Sequence, residues 1–235
     1  MSNRREQYGT SIPSPVVRYY TWASNEKGFR YYDKEKKENI VVFPLSFVFI
    51  TARATVRGWN DSTESAIYSN EVKNTAKEAL QVYTSKPNKQ GNTLLATGIY
   101  KEIKSNLAGG HFEKVVYGYE KGVGIVKINL KGSGLQAYSN FEKENKNLFD
   151  NFVTISTFES AKKGATKYTV PNFVLGEKVD SETDKIVDEA FKEVTSYLNA
   201  KGNKAEESRD NYSPDAETGE DEHEPILAGG NDLPF

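Results

Sequence analysis

The chain has 235 residues and no cysteine, which excludes disulfides, thiol catalysis and cysteine-held zinc. Its net charge of −2 hides a split: residues 205–235 hold ten acids and one base, Arg209, for −9, whereas the rest carries 30 bases and 23 acids, for +7. A basic body with an acidic arm suits a protein whose body meets nucleic acid and whose arm does not.

Residues 1–15 read as a flexible arm closed by Pro13 and Pro15. No apolar segment follows Met1-Ser2-Asn3-Arg4-Arg5. The longest apolar stretch, Ile40 to Ile50, is interrupted by Pro44 and Ser46, too short to span a membrane. A soluble, intracellular protein is the expectation. Residues 16–204 suffice for one domain with a sizeable core.

Val16 to Trp22 and Phe29 to Asp33 read as strands, Lys34 to Glu38 as a charged turn, and Ile40 to Phe43 as a short apolar strand. Ser46 to Trp59 alternates with period two. One face carries Val48, Ile50, Ala52, Ala54 and Val56, suited to a tight barrel interior. The other carries Phe47, Phe49, Thr51, Arg53, Thr55, Arg57 and Trp59. Rings mixed with guanidinium groups suit base stacking and phosphate contact. The same pattern also fits Phe47 and Phe49 packed under another layer with the arginines at the edge, and alternation alone leaves both open.

Residues 60–64 form a polar turn, and Ala66 to Val72 fits a strand. Glu71 to Tyr83 fits either a helix, through Val72, Ala76, Leu80 and Tyr83, or the start of a strand at Leu80. Residues 86–92 read as a loop around Pro87 and Gly91. Ile99, Ile103 and Leu107 give a short helix that Gly109 can end. Val115 to Tyr119 and Val123 to Lys131 read as paired strands. Val126, Ile128 and Leu130 face one way, Lys127, Asn129 and Lys131 the other; Tyr117 and Tyr119 share a face. Ser133 is placed to cap a helix carrying Leu135, Tyr138 and Phe141. Phe152 to Phe158 and Lys167 to Leu175 are further strands, with Pro171 marking an edge or bulge. Ser181 to Ala200 is the clearest helix, with Ser181 and Asp184 as a capping box, a stripe from Ile186 to Leu198, and Gly202 as its stop.

Other chemistry finds little support. His111 follows two glycines and His223 lies in the acidic arm, so a histidine-based triad is not expected. Gly122-Val123-Gly124 and Gly132-Ser133-Gly134 continue into neither a dinucleotide nor a phosphate-loop pattern. No Asp-x-Asp pair in a strand suggests a two-metal nuclease, and no basic recognition helix suggests groove reading. A protein with no cofactor, no metal and no enzymatic activity is expected.

The chain ends Gly229-Gly230-Asn231-Asp232-Leu233-Pro234-Phe235. A terminal carboxylate beside an aromatic ring fits an apolar pocket rimmed by Lys or Arg on a partner. This ending resembles that of the bacterial single-stranded DNA-binding proteins, whose acidic tail closes in Asp-Asp-(Ile/Leu)-Pro-Phe. Asp232, Leu233, Pro234 and Phe235 match, and Asn231 stands where a second Asp is usual. The resemblance covers the tail alone. It implies an OB-type barrel, with partner docking through those four residues. The longer, decorated body looks more like the replication single-strand binders of tailed phages.

The resulting expectation is a mainly β protein: an OB-fold-like barrel with extra strands and short helices, a C-terminal amphipathic helix and a disordered acidic tail over 205–235. Its expected DNA-binding residues are Arg18, Tyr20, Trp22, Arg30, Tyr31, Phe47, Phe49, Arg53, Arg57, Trp59, Tyr117, Tyr119, Lys127 and Lys131. Its expected partners are single-stranded DNA, replication or recombination proteins reached through the tail, and further copies of itself. It would coat single strands in the host cytoplasm. A recombination mediator or strand-annealing protein is the alternative.

Overall fold

The computed structural model describes residues 13–85 and 92–204. Antiparallel pairing dominates because most strands are joined by short turns rich in polar residues and glycine. The strands are β1 (Arg18–Ala23), β2 (Gly28–Asp33), β3 (Glu38–Val42), β4 (Leu45–Asn60), β5 (Ser65–Ser69), β6 (Leu80–Ser85), β7 (Asn92–Gly98), β8 (Gly110–Glu120), β9 (Gly124–Leu130), β10 (Asn151–Lys163) and β11 (Thr166–Lys178). The helices are α1 (Tyr100–Ile103), which runs into a 3-10 turn, α2 (Gly132–Glu144) and α3 (Ser181–Lys204). The fold is therefore mainly β.

All eleven strands join one mixed sheet, in the order β3-β2-β1-β9-β8-β4-β5-β6-β7, with β10 on β4 and β11 on β10. Among the described residues only β1 and β9 run parallel, Arg18 facing Val126 and Thr21 facing Asn129. The expected closed barrel is not formed. Among the described residues β3 and β7 end the path, and no ladder joins β11 to β1. The β10–β11 hairpin reaches β1 through side chains instead. Trp22 Nε1 donates to the Thr169 carbonyl at 3.0 Å, and Thr169 Oγ1 donates to the Ser24 carbonyl at 2.8 Å.

The long strand β4 organises the sheet. Leu45 to Val48 pair with β10 on one edge and Arg57 to Asn60 with β5, while the other edge runs along β8. Its register slips between Phe49/Gly118 and Thr51/Tyr117, so Ile50 is an extra residue. A bulge of this kind reverses which side chains share a face. Phe47 and Phe49 therefore join Ala52, Ala54 and Val56 on one face, while Val48 and Ile50 join Arg53 and Arg57 on the other. The uniform alternation expected for 46–59 is corrected by that one residue.

One face, the packed face, buries Tyr20, Phe29, Phe47, Phe49, Val116, Val126, Ile128 and Leu130 under Leu135, Tyr138 and Phe141 of α2 and Val153, Ile155 and Phe173 of the hairpin. Further along it, Ala54, Val56, Ile67, Leu80 and Val82 pack with Ile103 and Leu107. The opposite face takes α3, whose Val187, Ala190 and Val194 cover Val48, Ile50, Val115 and Ile125.

Of the two readings left open for Glu71 to Tyr83, the strand beginning at Leu80 is the one formed, as β6 after turns, with Val72 bridging Ala54. Smaller expectations are revised. Strand β7 had no counterpart in the sequence reading. Ser133 lies inside α2, whose cap position is Lys131, and its buried hydroxyl has no hydrogen-bond partner among the described residues. Helix α3 is capped by Asp180, whose Oδ1 accepts from the Glu182 and Thr183 amides at 3.1 and 2.8 Å. The helix also runs through Gly202. Pro171 does sit on an edge strand, since β11 pairs only with β10 among the described residues. The arm over 1–12, the loop over 86–91 and the acidic tail lie outside the described residues.

Candidate nucleic-acid interface

Residues paired across neighbouring strands point to the same side of a sheet. Register therefore assembles the face opposite the main core strand by strand. One row runs Arg53, Val115, Asn129, Thr21, Arg30 and Val41 from β4 to β3. The next row holds Thr51, Tyr117, Lys127 and Tyr19, and alternation from Arg30 adds Tyr32 of β2. Toward the other edge, Arg57 faces Tyr68, and Tyr68 faces Tyr83. The Tyr68 and Tyr83 rings stack at 5.9 Å with 24° between planes. Trp59 follows Arg57 on the same side and is 53% exposed, while Tyr19 and Tyr32 are 44% and 41% exposed. This basic face thus presents rings and cations from β2 to β6.

Its centre is a buried charge network. Glu71 accepts from Lys127 Nζ and from the Tyr117 hydroxyl, each at 2.7 Å, and Lys201 of α3 approaches it at 4.0 Å. Burial alone would raise the Glu71 carboxyl; the Lys127 and Lys201 ammoniums, with hydrogen bonds from Lys127 and Tyr117, outweigh it and hold the group at about 2. Burial pulls Lys127 down to about 8 against the attraction of Glu71. Burial, then Glu71, pushes the Tyr117 hydroxyl up, so it remains a neutral donor. The Lys127 ammonium also lies 6.0 Å from the Tyr19 ring centre and 5.6 Å from that of Tyr117. Arg53 is 8% exposed; its Nη1 donates to Thr51 Oγ1 at 2.7 Å and to the Ala52 carbonyl at 2.8 Å. Burial lowers its guanidinium below the usual value, with Glu71 opposing.

The expected site residues separate into three groups. Arg30, Arg53, Arg57, Trp59, Tyr117, Tyr119 and Lys127 share the basic face, but the Tyr117 ring and the Lys127 ammonium are buried, and Tyr119 packs against the α3 cluster. Arg30 pairs with Glu26 at 3.9 Å.

A second group belongs to the packed face. Tyr20, Phe47 and Phe49 are core residues and offer no ring to solvent. Trp22 and Tyr31 pack against the same core, with the Trp22 ring 5.1 Å from that of Phe29. Arg18 sits over the Tyr31 ring at 4.6 Å, donates to the Tyr20 hydroxyl at 3.3 Å and meets Glu120 at 3.8 Å. Lys131 stands at the head of α2.

The third group, Asp232, Leu233, Pro234 and Phe235, lies outside the described residues. Sequence reading missed Tyr19, Tyr32, Tyr68 and Tyr83. Adjacent rings such as Tyr19-Tyr20 and Tyr31-Tyr32 carry no internal sign of which one faces the core.

A groove of about 390 Å³ between α2 and β11 is lined by Phe141, Pro171 and Phe173 with Glu144 and Glu159, a lining unsuited to phosphate. Among the described residues no cluster of three His, Cys, Asp or Glu is arranged to hold a metal ion, and no helix is long and apolar enough to cross a membrane. Comparison with protein-family models, curated proteins and solved structures finds no match.

Proposed function

We propose that the protein binds single-stranded DNA without sequence preference, coats it during phage replication or recombination in the host cytoplasm, and recruits partners through its C-terminal tail. The observation that carries this reading is that exposed rings, Tyr19 and Tyr32 at one end and Trp59 at the other, share one sheet face with Arg30 and Arg57. Flexible single strands bring unstacked bases and closely spaced phosphates, and such a face answers both. Each base stacked on a ring contributes roughly 1–3 kcal/mol, so three rings give useful affinity for any sequence. The OB-type relation belongs to this proposal. It is supported by the mixed sheet with its one parallel pair among the described residues, and by the side-chain contacts of the β10–β11 hairpin with β1 and the turn after it.

The tail supplies the second half. Asp232-Leu233-Pro234-Phe235 suits a small basic-rimmed pocket on a replication or recombination protein. The acids from Glu206 to Glu224 suit the basic face itself when DNA is absent.

The test is titration of fluorescent oligothymidine and of matched duplex at two salt concentrations, with the full chain and a 1–204 truncation. Strong preference for the single strand, tightened by truncation, is expected. Equal binding of duplex, or no binding at low salt, overturns the reading. A strand-annealing rate far above that of a simple coating protein would favour the recombination alternative.

A further inference from the structure

We propose that Arg53 forms a seat for one phosphate of a bound nucleotide chain, reached past Lys201 at its rim; this rests on the single-strand reading of the basic face and deepens it. Arg53 is more than nine-tenths buried, yet among the described residues it has no carboxylate partner, only Thr51 Oγ1 and the Ala52 carbonyl, both on Nη1. A buried charge held by neutral acceptors is costly, and such charges ordinarily find a counter-ion. The buried carboxylate nearby, Glu71, is already shared by Lys127 and Lys201. A second buried carboxylate on this face, Glu113, is paired with His111, and against these two carboxylates stand Arg53, Arg57, Lys127 and Lys201, so the face holds more positive than negative charge. A guanidinium fork with free N–H groups matches phosphate oxygens in a plane.

A second observation points to a nucleotide over a bare anion. Asn129 lies in the same row as Arg53, with Val115 between them. Its side-chain oxygen is buried and has no hydrogen-bond partner among the described residues. An inorganic phosphate on Arg53 is too small to reach that oxygen, because two strand spacings, roughly 9.6 Å, separate the two residues. A nucleotide supplies phosphate oxygens for the guanidinium and a base N–H for the amide oxygen. Lys201, 52% exposed and 4.0 Å from Glu71, marks the solvent side of this cluster.

The experiment compares the full-length protein with R53Q and, as a control on the other face, R18Q. Oligothymidine affinity is measured across a salt series, and melting temperature is measured in inorganic phosphate against chloride at equal ionic strength. R53Q is expected to bind at least about tenfold more weakly, and its log–log salt slope to fall by about 0.7, one single-strand phosphate, with R18Q unchanged in slope. An unchanged slope and affinity in folded R53Q overturns the seat and leaves single-strand binding standing. No oligothymidine binding by the natural protein, with phosphate stabilising it but not R53Q, sinks the single-strand reading and keeps the seat for free phosphate. Neither response sinks both. If R53Q does not fold, R53K carries the test: it keeps the charge and the slope, loses the fork and weakens binding about tenfold, and unchanged affinity overturns the seat.

Discussion

The two faces of the sheet are built from the same residue types and put them to opposite uses. On the packed face Tyr20, Phe29 and Phe47 are fully buried, and the nearby cations are neutralised and laid over rings, Arg18 by Glu120 over Tyr31 and Lys114 by Glu142 over Tyr138. On the basic face Tyr19, Tyr32 and Trp59 keep about half their surface in water, and a single buried carboxylate serves two lysines. An aromatic ring beside a cation is thus no sign of binding by itself. What distinguishes the faces is whether a second layer covers the rings. Helix α2 and the β10–β11 hairpin cover one face, while α3 covers part of the other, the patch around Val48, Ile50, Val115, Tyr117 and Ile125.

The sharpest way to break this contrast is to delete Ile50. The bulge lets Phe47 and Phe49 share a face with Ala52, Ala54 and Val56. Without it, either the phenylalanines or the small residues must turn to the wrong side. Deletion should abolish cooperative unfolding altogether, read by circular dichroism melting. A cooperative transition near the natural midpoint would show that the bulge does not assign the faces. Next in size is Phe47→Ala. Removing this buried ring should cost about 3–5 kcal/mol in denaturant unfolding.

These cases also mark what was legible in the sequence. Period two located β1, β2, β4 and the β8–β9 pair, and the stripe of α3 was plain because Val187, Ala190 and Val194 recur at helical spacing. The face assignment of β4 was not legible, since a bulge adds a residue without interrupting the run of strand-forming side chains. Strand β7, Asn-Thr-Leu-Leu-Ala-Thr-Gly, lacks alternation and pairs at an edge, where burial imposes little pattern. The cap of α3 fell to Asp180 instead of Ser181 because either residue can accept from the first amides. At the site, Arg57 and Trp59 were readable from β4, whereas Tyr68 and Tyr83 stack only because β5 and β6 pair. The Glu71–Lys127 contact joins residues 56 apart in sequence, beyond any local pattern.

Glu71→Gln tests the centre of the basic face. It leaves the Lys127 ammonium buried without its counter-charge, which should cost on the order of 3 kcal/mol at neutral pH. The pH dependence gives a separate signature. Because the folded Glu71 carboxyl is held at about 2, below its ordinary value, its stabilisation is complete above the unfolded value. It is lost as the pH falls toward 2. Denaturant midpoints measured from pH 6 downward should drop more steeply for the natural protein than for the Glu71→Gln variant. Parallel curves would mean that Glu71 does not stabilise the fold through its charge.

The smallest effect on folding, and the most telling about function, is expected from Trp59→Ala. The ring is 53% exposed and belongs to none of the three buried clusters, so its loss should change stability by no more than about 0.5 kcal/mol. If it stacks on a base, oligothymidine affinity should fall by about 1–3 kcal/mol, roughly five- to 150-fold. Intrinsic tryptophan fluorescence separates the two readouts, because Trp22 is held in the packed face by Thr169 while Trp59 faces solvent. Quenching on oligothymidine addition should vanish in the variant, leaving the Trp22 signal unmoved. Full quenching that survives the substitution would assign the response to Trp22, and the packed face, not the basic one, would be the surface that meets the strand.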